Sequence, residues 1–291
     1  MQDEPPHEGE FLMRDFLRWL TALSPVRFLV HALGLAPLMR KAYHHMAASD
    51  GIFRVEVAGV PMQFTAKTGK ELLSLEGLLV TNRGWSERAI LEGYLAFLRP
   101  GDVAYDVGAN FGIYTVALAK WVGEGGCVIA FEPVPGTFQR LLANVQLNGL
   151  HNVTCFQKAL GERGDTVNMH VYPDEPWCSS FIEIPDKSIS RVQSIQPVEV
   201  VQGDSFRRQH GLPIPRAIKI DVEGYEHEVI YGLRETLSDV ACEFLGCEIH
   251  TKRLPTGFTP AQIMDLLKTC GFTKIVVSSR GEEQQLACYK R

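Results

Sequence analysis

The chain has 291 residues, 45% hydrophobic and 22% charged, the balance of an ordinary globular protein with ample material for a core. Its formal net charge of -5 provides no global positive field to gather phosphates, which counts against a nucleic-acid substrate. Seven scattered cysteines without a CxxC pair signal neither a zinc site nor a disulfide framework, so a reducing cytoplasmic setting is expected.

The first residues, Met1-Gln2-Asp3-Glu4-Pro5-Pro6, are acidic and proline-broken, unlike a secretory signal. Residues 11–47 read as two or three helices, with Phe11, Leu12, Phe16, Leu17, Leu20 and Leu23 at helical spacing. Arg14, Arg18, Arg27, Arg40 and Lys41 interrupt the apolar run, so no transmembrane span is expected. Peripheral membrane contact is one reading of this segment. The favoured one is a lid or an oligomer contact, because most amphipathic helices simply bury their apolar stripe. These features set an N-terminal helical extension at 1–50 and a main domain at 51–291.

Ile52 to Thr65 alternates around Gly59 as a hairpin would, and Ser86 to Leu98 carries a helical stripe. Strand and helix then alternate. Val103–Val107, Cys127–Phe131 and Val153–Ala159 read as strands, with helices at Gly112–Val122 and Pro135–Asn148. An insertion at about 166–197 carries two strand-like runs, Thr166–Tyr172 and Phe181–Ile184. Val198–Val201 extends toward Asp204, and Ala217–Asp221 is a buried strand. Helix Glu226–Leu237, strand Phe244–Ile249, helix Pro260–Cys270 and the strands Thr273–Ser278 and Gln284–Tyr289 complete the order. Such alternation predicts a Rossmann-like α/β sheet, mostly parallel, with one antiparallel edge strand from the terminal hairpin.

The stretch Asp106-Val107-Gly108-Ala109-Asn110-Phe111-Gly112 runs from a strand into a helix, where open α/β sheets bind ligands. It lacks the G-x-G-x-x-G of a dinucleotide site, since Asn110 occupies the second glycine position. An acid at Asp106 would repel a pyrophosphate but suits the cationic amino acid end of S-adenosylmethionine. Glu132, at the tip of the next strand, can accept hydrogen bonds from both ribose hydroxyls. The candidate cofactor set is therefore Asp106, Gly108, Ala109, Asn110, Gly112 and Glu132, with Ala159 from the end of the third strand.

Over residues 85–250 the chain resembles the FkbM-type methyltransferases. The likeness rests on the Asp106–Gly112 stretch, Phe131-Glu132-Pro133, Asn144-Val145-Gln146-Leu147-Asn148, Ile218-Lys219-Ile220-Asp221-Val222-Glu223-Gly224-Tyr225-Glu226 and Cys247-Glu248-Ile249-His250. The resemblance implies a seven-stranded methyltransferase sheet and O-methylation of sugar, glycan-linked or polyketide-type hydroxyls.

An aliphatic hydroxyl must lose its proton during methyl transfer, which calls for a base or a metal. Asp221 and Glu223 after the fourth strand, and His250 after the fifth, are the catalytic candidates. An unperturbed imidazole, near pKa 6.5, would suit a general base. Asp221, Glu248 and His250 are weak candidates for a divalent metal site. Asp204 matches an acid of the family without an evident role. Trp177, Cys178, Ser179, Ser180 and Phe181 form either a wall of the acceptor site or an edge hairpin. A noncatalytic cofactor-binding scaffold and an N-methyltransferase are the competing readings. Asp221-Val222-Glu223-Gly224 replaces the Asn-Pro-Pro-Tyr of many N-methyltransferases.

Overall fold

The computed structural model describes residues 48–80, 87–171, 194–255, 257–280 and 283–290, together with Leu38. The expected helices of 11–47 (apart from Leu38), Ser86, and the insertion residues 172–193, including Phe181–Ile184, lie outside the described residues. The chain divides into two compact units, 1–89 and 90–291.

In the first unit, β1 (Ile52–Val57) and β2 (Val60–Thr65) pair antiparallel. Ala58 and Gly59, at φ 50° and 80°, supply the two left-handed positions that a two-residue hairpin turn needs. Helix α1 (Gly69–Leu79) follows, and the periodicity of the sequence did not lead us to expect it. Its start is nevertheless marked. The Thr68 hydroxyl accepts from the Glu71 N–H, and the Glu71 carboxylate reaches back to the Lys67 N–H, a reciprocal cap.

Helix α2 (Glu87–Phe97) leads into the second unit. There the strands β3 (Val103–Val107), β4 (Cys127–Phe131), β5 (Val153–Phe156), β9 (Ala217–Ile220), β10 (Phe244–His250), β11 (Lys274–Arg280) and β12 (Glu283–Tyr289) build one seven-stranded sheet. Its order is β11-β12-β10-β9-β3-β4-β5. Strands β10, β9, β3, β4 and β5 run parallel, while β12 is antiparallel to both neighbours. The reversed strand thus sits one place in from the edge, between β10 and β11. The intervening helices are α3 (Ile113–Val122), α4 (Pro135–Leu147), α5 (Gly203–Gln209), α6 (Glu226–Gly232), α7 (Arg234–Ser238) and α8 (Pro260–Thr269).

Two expected elements divide. The run expected as one strand, Val153–Ala159, breaks after Phe156, and β6 (Ala159–Gly161) joins β7 (Asp165–Val171) and β8 (Ser194–Gln202) in a separate three-stranded sheet. The helix expected over Glu226–Leu237 breaks at Leu233 into α6 and α7. Asp204 explains the second start: its carboxylate accepts from the Glu235 N–H at 2.7 Å and the Thr236 N–H at 2.9 Å. It is buried and caps α7, a structural role.

Strand alternation sorts the sheet into two faces. Tyr105, Val107, Ile129, Phe131, Ile218, Ile220, Leu245, Cys247 and Ile249 enter one core with Val229, Ile230 and Leu233 of the α6 region and with Ile263 and Leu267 of α8. The opposite face carries Asp106, Lys219, Glu248 and His250. Asp106 lies directly across from Lys219 in the β3–β9 register.

Candidate active site at the carboxyl edge of the sheet

A hollow opens where β3, β4 and β9 end and β6 begins, lined among others by Gly108, Asn110, Glu132, Asp221, Glu223 and Tyr225. Its two sides are built differently.

On the first side, β3 turns at Gly108 and Asn110 into α3, both residues with positive φ (76° and 52°). A Cβ at Gly108 would stand 1.9 Å from the Asp221 carbonyl oxygen, so the glycine is required by the close approach of two loops of the protein itself. Glu132 then ties the turn down. One carboxylate oxygen accepts from the Asn110 N–H at 2.9 Å and the other from the Val134 N–H at 2.9 Å. Burial pushes the Glu132 pKa up to about 7, against the pull of those two N–H groups and of Lys219. Each oxygen keeps a second lone pair for further donors. The buried Asn144 amide donates to the Phe111 carbonyl at 2.7 Å, which explains why that asparagine belongs to the motif.

Asp106 is wholly buried and is not among the residues lining the hollow. The Thr115 hydroxyl donates to one oxygen at 2.5 Å, and the Lys219 ammonium lies 3.5 Å from the other. The acid expected against a cationic ligand thus has a cation of its own. Lys219 also donates to the Gly108 carbonyl at 2.7 Å and stands 3.6 Å from the Asp221 carboxylate. It joins the two sides of the site. The signal for it was a lone lysine in the apolar strand Ala217-Ile218-Lys219-Ile220.

On the second side, Asp221, which is partly exposed, and Glu223, at φ 57°, both line the hollow. The Glu223 carboxylate pairs with the Arg253 guanidinium and stands 3.1 Å from His250 Nε2. His250 Nδ1 lies 2.8 Å from the buried Glu226 carboxylate, which also accepts from the Gly224 N–H at 2.9 Å. Burial alone would lower the His250 pKa, but the Glu226 hydrogen bond and charge, with Asp221 and Glu248 nearby, hold it at about 9. Both ring nitrogens face carboxylates, an arrangement that favours the protonated ring.

Ligand atoms of Asp221, Glu223 and His250 lie within 4.8 Å of one another, as do those of Glu248, His250 and Glu283. Asp221, Glu248 and His250 do not form one such set among the described residues. In the first set, Asp221 and Glu223 already have the cations Lys219 and Arg253 beside them.

Residues 106–274 match the model of the methyltransferase FkbM domain, more than half of the chain. The protein belongs to this family. It is an S-adenosylmethionine-dependent methyltransferase. Among curated relatives, this FkbM-family chain is 26% identical to a hexuronic acid methyltransferase, AglP, of Haloferax volcanii, covering 78% of this chain and 85% of that protein. It is 40% identical to the 31-O-demethyl-FK506 methyltransferase FkbM of Streptomyces tacrolimicus over 61% of this chain and 75% of the other. The 2-O-methyltransferase NoeI of Sinorhizobium fredii is 26% identical, over 64% and 78% respectively. Among the described residues of this family member, no helix is long and apolar enough to cross a membrane.

The hollow fits the family's cofactor. Glu132 offers a desolvated carboxylate whose remaining lone pairs suit a pair of hydroxyl donors, beside a glycine turn and the apolar Phe131, Pro133 and Leu160. Of the expected cofactor residues, Gly108, Asn110, Glu132 and Ala159 line it. Ala109 and Gly112 support the turn from behind: the Gly112 N–H donates to the Ala109 carbonyl.

Proposed function

We propose that this enzyme methylates a hydroxyl of a sugar, glycan-linked or polyketide-type molecule, with Asp221 as the proton acceptor. The observation that carries this reading is the contrast among the acids at the β9 and β10 ends. Glu223 is held by Arg253 and His250, and Glu226 is buried against His250. Asp221 and Glu223 both line the hollow, but among the described residues Asp221 pairs with one basic group, Lys219 at 3.6 Å, whereas Glu223 pairs with two, Arg253 and His250. The acceptors in the relatives' names, a hexuronic acid and a 31-O-demethyl compound, support an oxygen nucleophile.

S-adenosylmethionine, when bound, supplies an electrophilic methyl group on a sulfonium. Glu132, Asn110 and Gly108 would hold it, with Glu132 on the ribose. The chain's own task at the other end is to orient the acceptor and take its proton. An alcohol has a pKa on the order of 15, like water, so a carboxylate cannot strip it beforehand. Asp221 instead receives the proton as the oxygen–carbon bond forms, and its charge matters mainly at the transition state. Lys219 fixes that carboxylate relative to Gly108, so alignment is built in before substrate arrives.

The test is Asp221→Asn, assayed with hydroxylated sugars and polyketide alcohols. We expect kcat to fall by roughly 10²–10⁴-fold, with cofactor affinity little changed by calorimetry. Full turnover by the variant would overturn the assignment. EDTA should leave the wild-type rate unchanged, and recovery of a chelated enzyme by Mg²⁺ would instead make Asp221 a ligand.

A further inference from the structure

Glu226 is the most deeply buried carboxylate of the second side, with no exposed side-chain surface. Burying an ionised carboxylate is costly unless cations and donors compensate it. A first-turn acid gains its favourable interaction with the helix N-terminus while remaining in water, so capping does not account for the depth. One oxygen accepts from the Gly224 N–H and meets His250 Nδ1. The other is buried without a hydrogen bond among the described residues. The charge is thus directed at two partners, and both belong to the segment carrying Asp221 or to its support.

That segment needs support. Glu223 has φ 57° and Gly224 φ 108°, successive left-handed positions of which the first is strained for a side-chain-bearing residue. A Cβ at Gly224 would meet the Arg253 Cβ at 2.6 Å, so the loop is pressed against the chain that follows β10. His250 ends β10 and bridges Glu226 to Glu223 across the turn.

We infer that Glu226 is a positioning residue, which acts through His250 and the Gly224 N–H to lock the 221–224 loop so that the Asp221 carboxylate stays at the hollow. This rests on the reading of Asp221 as proton acceptor. Glu226 does not touch substrate. It fixes a strained backbone from behind, and the alignment of Asp221 depends on that backbone.

The test is a double-mutant cycle in the full chain. Glu226→Gln keeps the shape and removes the charge. We expect kcat to fall on the order of 10²-fold, as for a misplacement of about 1 Å, with acceptor KM and cofactor Kd nearly unchanged. Added to Asp221→Asn, the same substitution should cause little further loss, because the loop it aligns no longer carries a base. A helix cap without a positioning role would give equal losses in both backgrounds, and that additivity would overturn the inference while leaving Asp221 in place. Should Asp221→Asn retain full activity, both readings fall. His250→Gln removes the bridge by a second route if Glu226→Gln does not fold, and wild-type kcat in that variant would also overturn the inference.

Discussion

The two sides of the site reach rigidity by different means. Around Gly108 and Asn110 the backbone is held by hydrogen bonds from its own N–H groups to one carboxylate, Glu132, and by a glycine that lets two loops touch. Around Asp221 and Glu223 the backbone is held by charged side chains: Glu223 with Arg253 and His250, and Glu226 with His250. The first arrangement fits a ligand shared by every methyltransferase of the class, whose contacts can be fixed in the main chain. The second depends on side-chain charge, which substitution changes easily.

Lys219 is the group that most directly tests this division, because it bonds to both sides. Lys219→Met leaves Asp106 buried with Thr115 as its remaining hydrogen-bond partner in the site. Breaking a buried pair from one side costs about 3–5 kcal/mol, so urea unfolding should show a loss of that size. Adding Asp106→Asn should recover part of it. If the single variant is as stable as wild type, the two sides are not joined through this residue.

Glu132 addresses the first side alone. Its folded pKa, about 7, lies above the ordinary 4.5, so the carboxyl is stabilised in its protonated form. That contribution is complete below pH 4.5 and is lost as pH rises through about 7. A shift of this size corresponds to roughly 3 kcal/mol across the window. Denaturation midpoints measured from pH 4.5 to 7.5 should therefore decline less steeply in Glu132→Gln. An identical slope would remove Glu132 as the source.

A variant remote from both sides calibrates the others. Thr259 caps α8 and forms a reciprocal box with Gln262. Thr259→Ala should cost about 1 kcal/mol of stability with kcat and cofactor Kd unchanged. An altered kcat would mean that the sheet transmits damage more widely than the two-sided description allows.

The same contrast governs what could be read from the amino acids. The glycine turn, Glu132 and the alternation of strands and helices are local patterns, each contained in a stretch of about ten residues or fewer. The ion network is not local. Gly108 and Lys219 are 111 positions apart, and Glu226 and His250 are 24 apart, so their meeting depends on strand order. The resemblance gathered these residues into motifs without saying that Lys219 faces Asp106, or that His250 is clasped by two acids. A histidine read without its partners has the pKa of free imidazole, whereas the Glu226 hydrogen bond and charge raise that of His250. The break after Phe156 was hidden for another reason: Val153 to Ala159 is apolar enough to pass for one strand, although the chain changes sheets at Lys158.

The contact between Gly108 and the Asp221 carbonyl bears on engineering. With 1.9 Å of clearance for a Cβ, position 108 admits no side chain unless the neighbouring loop retreats. Randomising either loop alone would therefore mainly return inactive clones, and the pair must be treated as one unit when a library is drawn. Met169 and Tyr225 line the same hollow without that constraint. Substitutions at these two positions change the lining of the hollow without forcing that loop to move.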